Sequence, residues 1–147
     1  KQDIVLDTEV NKDHKVLIDK QYVGELKGLK FLIDFSSKNL DADLKSIKKA
    51  ARKGVEDELI KRVKTIIEGG DLSIASENKI IWQNNPIAKI SKGENYLTPE
   101  IEIIVDDALP LDKKKELEQF LKNWIGLHIS DILDHLINLT KTKIDNQ

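Results

Sequence analysis

Asp106 and Asp107 stand side by side just after an apolar run, where a strand-end carboxylate pair can bind a cation or exchange protons with a substrate. They also precede Pro110 by only a few residues. Negative charge ahead of a helix N-terminus, together with the turn-forming habit of Asp, accounts for the same pair without catalysis. His128 and His135 lie seven apart, two turns along one helix face, with Asp131 and Asp134 nearby. Asp131 and His135 have the i, i+4 spacing that metal-binding helices use. With no further ligand in the sequence, ordinary helix-surface polarity is the reading taken, and no metal or cofactor is expected. Lys45, Lys48, Lys49 and Arg52 fall within one arc at spacings of three and four, and Lys53 extends the basic stretch. Such a stripe can meet phosphate groups. Glu56, Asp57 and Glu58 follow directly and aromatics for base stacking are few, so a plain solvated helix face competes with that reading. No serine has a G-x-S-x-G context. Gly69-Gly70 lacks the following Lys-Ser/Thr of a phosphate-binding loop. The chain has no cysteine, which excludes disulfides, thiolate metal sites and cysteine nucleophiles.

The elements that must position these residues occur twice. Residues 15–26 (KVLIDKQYVGEL) align with 79–90 (KIIWQNNPIAKI) at a shift of 64. Val16, Leu17, Ile18, Val23 and Leu26 then match Ile80, Ile81, Trp82, Ile87 and Ile90. A second apolar run follows each block (28–35 and 99–107), and a long amphipathic segment follows each run. At a shift of 70, Ile47, Ala51, Val55, Leu59, Val63, Ile66 and Ile67 fall on Leu117, Leu121, Ile125, Ile129, Leu133, Leu136 and Ile137. Self-similarity of this kind governs the whole fold and is settled first.

The pattern predicts an α+β fold of two pseudo-symmetric β-β-β-α units sharing one core, with a mostly antiparallel sheet packed by two long helices. Lys15 to Asp19 and Tyr22 to Leu26 read as a hairpin around Asp19-Lys20-Gln21. Leu29 to Phe35 reads as a strand buried on both faces or nearly so, and Ile101 to Val105 as the corresponding buried strand. The first helix is expected from a cap at Asp41 or Asp43 to about Glu68, with Gly69-Gly70 as the stop. Gly54 either permits close packing there or kinks it. Leu72 to Ser76 adds a short strand, and a second hairpin turns around Gln83-Asn84-Asn85-Pro86. The last helix is expected from about Leu111 to Thr140. Its apolar arc is wide, which implies contact on more than one side. Residues 1–14 form an extension that either adds an edge strand or hangs loose. Residues 15–140 make a single domain of two repeats, 15–70 and 71–140, and 141–147 a tail.

The chain is 147 residues and 16.7 kDa, 39% hydrophobic and 34% charged, with a net charge of −2. That describes one soluble domain with no overall field drawing it to nucleic acid or membrane. No apolar run is long enough to span a bilayer, and a cytoplasmic location is expected. The chain opens Lys-Gln and contains no Met, which suggests a piece of something longer. Of 24 basic residues only Arg52 and Arg62 are arginine.

KVLIDKQYVGELKGLKFLID, the helix containing AARKGVEDELIKRV, and KIIWQNNPIAKISKGENYLTPEIEIIVDDAL together resemble the region C-terminal to the motor core of alphaproteobacterial Suv3-like helicases of superfamily 2. The matching segments are Asp19 through Phe31, Trp82 through Ala88, Pro99 through Leu109, and Phe120, Leu121 and Trp124. The resemblance spans about residues 15–140. It departs at the first turn, where Asp19-Lys20 replaces Asp-Gly. The motor's ATP-binding motifs are absent, so no catalytic residue carries over.

What the resemblance implies is a non-catalytic C-terminal accessory domain of an ATP-dependent helicase. Its expected partners are single-stranded RNA or DNA and the helicase motor domains. Lys45, Lys48, Lys49 and Arg52 are the candidate nucleic-acid contacts. The alternative is a protein-interaction module that docks a partner through Phe120 and Trp124. A small enzyme built on Asp106-Asp107 ranks last.

Overall fold

A computed structural model gives the fold and describes residues 6–34, 43–91 and 100–128. Four strands, β1 (Thr8–Val10), β2 (Lys15–Ile18), β3 (Gln21–Lys27) and β4 (Lys30–Ile33), precede helix α1 (Leu44–Ile67). Four more, β5 (Leu72–Ala75), β6 (Lys79–Trp82), β7 (Asn85–Ser91) and β8 (Glu100–Ile103), precede helix α2 (Leu111–Leu127). Each set of strands is an antiparallel meander, in order β1-β2-β3-β4 and β5-β6-β7-β8. The architecture is therefore α+β with two sheets, where a single sheet was expected. Each meander closes on its own hairpins, and among the described residues no ladder joins the two.

The repeat is written into the hydrogen-bond register. Thr8 faces Ile18 in the first unit and Leu72 faces Trp82 in the second, each partner displaced by 64. Both central hairpins slip by one residue, between Val16 and Leu17 and between Ile80 and Ile81. The extra residue of each bulge is Val23 and Ile87, and both are fully buried. A bulge breaks the in-out alternation of a strand, and here two successive residues of each strand, Val23-Gly24 and Ile87-Ala88, are buried. The turns are two-residue hairpins with positive φ at both positions: 47° and 68° at Asp19 and Lys20, 48° and 65° at Gln83 and Asn84. That is the type I′ geometry that fits the twist of the strands. It places Asn85 and Pro86 already in β7, two residues earlier than the sequence suggested.

α1 begins at Asp43, whose carboxylate accepts the Ser46 N–H at 2.7 Å and fills one of the orphan positions of the first turn. That bond holds the Asp43 pKa below its ordinary value. The helix stops at Glu68, and Gly69 follows at φ 131°. Ile47, Ala51, Val55, Leu59, Val63 and Ile66 line its inner face, all buried. Gly54 serves close packing: a Cβ there would fall 2.9 Å from the Thr8 Cβ and nearer still to its Cγ2. The Thr8 hydroxyl donates to the Ala50 carbonyl at 3.0 Å, so β1 is fastened along the helix.

One hydrophobic core draws on both units. Val16, Ile18, Val23 and Leu26 of the first sheet and Ile80, Trp82, Ile87 and Ile90 of the second are all buried, at matching positions. Ile47, Ala51 and Val55 of α1 correspond likewise to the buried Leu117, Leu121 and Ile125 of α2.

Two expected buried strands prove to be edges. In β4, Leu32 is 46% and Ile33 55% exposed, and Leu29 is buried just before the strand starts. In β8, Glu100 and Glu102 face solvent between the half-buried Ile101 and Ile103. A continuous apolar run signals burial on both faces only when both are covered; these strands end their meanders. α2 is described as far as Leu127, and residues 129–140 of the expected last helix lie outside the described residues. So do Phe35 and Asp41.

Candidate functional site

Lys45, Lys48, Lys49 and Arg52 all lie on α1 with their side chains exposed. At about 100° per residue they occupy an arc of roughly 100°. Among the described residues no salt bridge ties Lys48 or Lys49 to a carboxylate. Arg52 Nη2 donates to the Asp107 carbonyl at 3.1 Å. The fold thus brings the basic stripe against the Asp106-Asp107 turn, two features far apart in the sequence.

That turn is built for shape. Asp106 Oδ1 accepts the Ala108 N–H at 3.0 Å, and the Asp106 carbonyl accepts the Leu109 N–H at 3.1 Å. The Asp106 N–H donates to the Leu29 carbonyl at 2.8 Å, which ties the second unit to the first. An Asx turn of this kind leads the chain into Pro110, the residue that caps α2.

Pseudo-symmetry supplies an internal control for the stripe. Displacing Lys45, Lys48, Lys49 and Arg52 by 70 gives Lys115, Glu118, Gln119 and Lys122. There Lys122 Nζ pairs with Glu118 at 3.5 Å, and Gln119 donates to Asn123 at 3.1 Å. The same helical face, on the same scaffold, is thus made with mixed charges, one pair of which forms an ion pair.

Arg52 stands between two clefts. One, of about 470 Å³, lies against Glu56, the residues 105–111 and Lys114. The other, of about 230 Å³, is lined by Phe31, Ile33, Lys48, Ala51, Arg52 and Asp106. Sequence reasoning did not include Phe31 or Ile33, because they were assigned to a strand buried on both faces.

The remaining candidates scatter. Phe120 and Trp124 are half-buried and pack against the core from α2. The Trp124 ring stacks on His128, with centroids 4.5 Å apart and planes 26° from parallel. The His128 Nδ1 lies 2.9 Å from the Trp124 carbonyl. Asp131, Asp134 and His135 lie outside the described residues. Among the described residues no cluster of three or more His, Cys, Asp or Glu side chains could hold a metal ion. Nor is any helix among them long and apolar enough to cross a membrane.

A further residue passed over by sequence reasoning is Arg62, which is 5% exposed. Its Nη1 donates to the Gly28 carbonyl at 2.6 Å, Nη2 meets His14 Nδ1 at 2.7 Å, and Nε donates to Glu58 at 3.2 Å. The signal was compositional. In a chain whose other basic residues are lysines, both arginines hold backbone carbonyls, a task suited to a rigid planar fork.

No protein-family model, curated protein or solved structure matches this chain.

Proposed function

We propose that this domain is a non-catalytic accessory module, part of an ATP-dependent helicase, that contacts single-stranded nucleic acid through the outer face of α1. The observation carrying this reading is the exposed cationic face of Lys45, Lys48 and Lys49 beside Arg52, where Lys48 and Lys49 have no ion-pair partner among the described residues. Its counterpart on α2 is close to neutral, so packing and helix stability do not call for four cations. Cations on a rigid helix displace condensed counterions from a phosphate backbone, and the affinity they supply falls with salt at about −0.7 per contact for single strands.

Fluorescence anisotropy with labelled single-stranded RNA and DNA at low and moderate salt tests the reading. Binding to one or both is expected, with a log–log salt slope of about −2 to −3 for three or four contacts. Changing Lys48 and Lys49 together to Glu should weaken binding at least tenfold and flatten that slope. Absence of binding, or binding indifferent to those changes, refutes it.

A second reading, a protein-docking module, draws on Phe120, Trp124 and Leu127. They lie on one face of α2 at i, i+4 and i+7, and Leu127 is 83% exposed. A pull-down against helicase motor domains decides it: loss of capture on changing Leu127 and Trp124 to Ser supports docking, and no capture by the unchanged domain rejects it.

A further inference from the structure

The smaller cleft carries a chemistry that the basic stripe alone does not. Phe31 and Ile33 form its apolar wall, Lys48 and Arg52 its cationic rim, and Asp106 supplies a single carboxylate. Phe31 is held in place because its ring covers Gly24 across the strand pair. The Asp34 N–H donates to the Val23 carbonyl, which makes every second pairing along β3 and β4 the hydrogen-bonded one. Phe31 and Ile33 fall on the alternate positions, so their backbone groups point outward from β3. Among the described residues no strand pairs with that edge.

Asp106 is oriented by its turn. One oxygen accepts the Ala108 N–H at 3.0 Å, and among the described residues the other accepts nothing. An ionised carboxylate is acceptor-only and has about four lone-pair sites, so most of its capacity remains.

We infer that this cleft receives one base of the bound strand, with guanine preferred. The inference rests on the nucleic-acid reading above and specifies what its site selects. A flat ring lies against Phe31 and Ile33, as bases do on aromatic side chains in single-strand binders. Lys48 and Arg52 hold the adjoining phosphate. Asp106 then faces the edge of the base, and guanine alone among the four presents two neighbouring donors there, N1–H and N2–H. Uracil and thymine set one N–H between two carbonyls that the carboxylate repels. Cytosine and adenine set one amine beside a ring-nitrogen acceptor.

The test is anisotropy of the purified domain with labelled oligouridine carrying one central G, A, C or U. The single G should tighten binding about fivefold or more, the lower end of what a bidentate base contact supplies. Asp106→Asn keeps the acceptor needed for the turn, so the fold survives. It should abolish the G preference, and oligouridine should bind as well or more tightly, because the carboxylate that repels the uracil carbonyls is gone. Lys45→Glu with Lys49→Glu, outside the cleft, should weaken all four oligonucleotides equally. Equal affinity for the four, or a G preference that survives Asp106→Asn, overturns the cleft assignment and leaves the nucleic-acid reading standing. No binding to any of them overturns both. Displacement by polyglutamate as effective as by oligouridine reduces the site to charge attraction and also overturns the assignment.

Discussion

Replacing Arg62 with Ala removes a guanidinium that is 5% exposed and that bonds three partners from three parts of the fold. The Gly28 carbonyl, in the turn between β3 and β4, loses its donor at 2.6 Å. A buried acceptor left unsatisfied costs about 1–3 kcal/mol. Loss of the His14 and Glu58 contacts and of the buried methylenes adds to this. Breaking a buried charged network by removing one member costs about 3–5 kcal/mol in total. Gly28 also sits against Asn85, Pro86 and Ile87, so the damage reaches the junction of the two units. A loss of about 4 kcal/mol is a large share of the roughly 5–15 kcal/mol that holds a domain together. Urea unfolding followed by far-ultraviolet circular dichroism measures it as a fall in midpoint at constant slope. Arg62→Lys should recover less than half, since an ammonium is a point donor and cannot serve three diverging acceptors. A loss under about 1 kcal/mol for Arg62→Ala, at unchanged slope, would refute the reasoning. It would mean that water replaces the guanidinium at the Gly28 carbonyl.

Three further outcomes follow from local geometry. Gly54→Ala should destabilise by about 1–2 kcal/mol by thermal melting, despite Ala's better helix propensity, because the new methyl collides with Thr8. Lys20→Gly should stabilise by about 1 kcal/mol in urea, because Lys20 sits at φ 68° where glycine is unstrained. The Asp43 carboxyl has a pKa below 3.8 in the folded chain because it accepts the Ser46 N–H, so its contribution is complete above 3.8 and is lost as pH falls through the depressed folded value. Asp43→Asn, which still caps the helix but does not titrate, should flatten the acid limb of melting temperature against pH.

The elements and their pairing were largely legible because the repeat constrains them twice. Val16, Ile18, Val23 and Leu26 are buried with their mates Ile80, Trp82, Ile87 and Ile90 because a shared bulge gives both hairpins one register. The shift grows from 64 to 70 because β3 and β4 are joined by two residues and β7 and β8 by eight. Depth within the molecule was not legible. Leu29 to Phe35 reads as a covered strand, yet an apolar run carries no mark of whether a neighbour lies beyond it. The site was legible only in halves. Lys48 and Arg52 show as a stripe and Asp106 as part of a pair, while their meeting depends on how two sheets face each other. Arg62 escaped because helical periodicity places it beside Val63, and charged residues are assigned to solvent by default.

The matching registers bear on more than packing. Two separate copies of one unit, assembled about a true two-fold axis, would display every surface twice. Joined in a single chain, the halves escape that rule. Mutation can then reshape one face without touching its mate, so Lys48 and Lys49 can stand bare while Glu118 and Gln119 keep the equivalent face close to neutral. The covalent link between the repeats thus turns a symmetric scaffold into one with a distinguishable front and back.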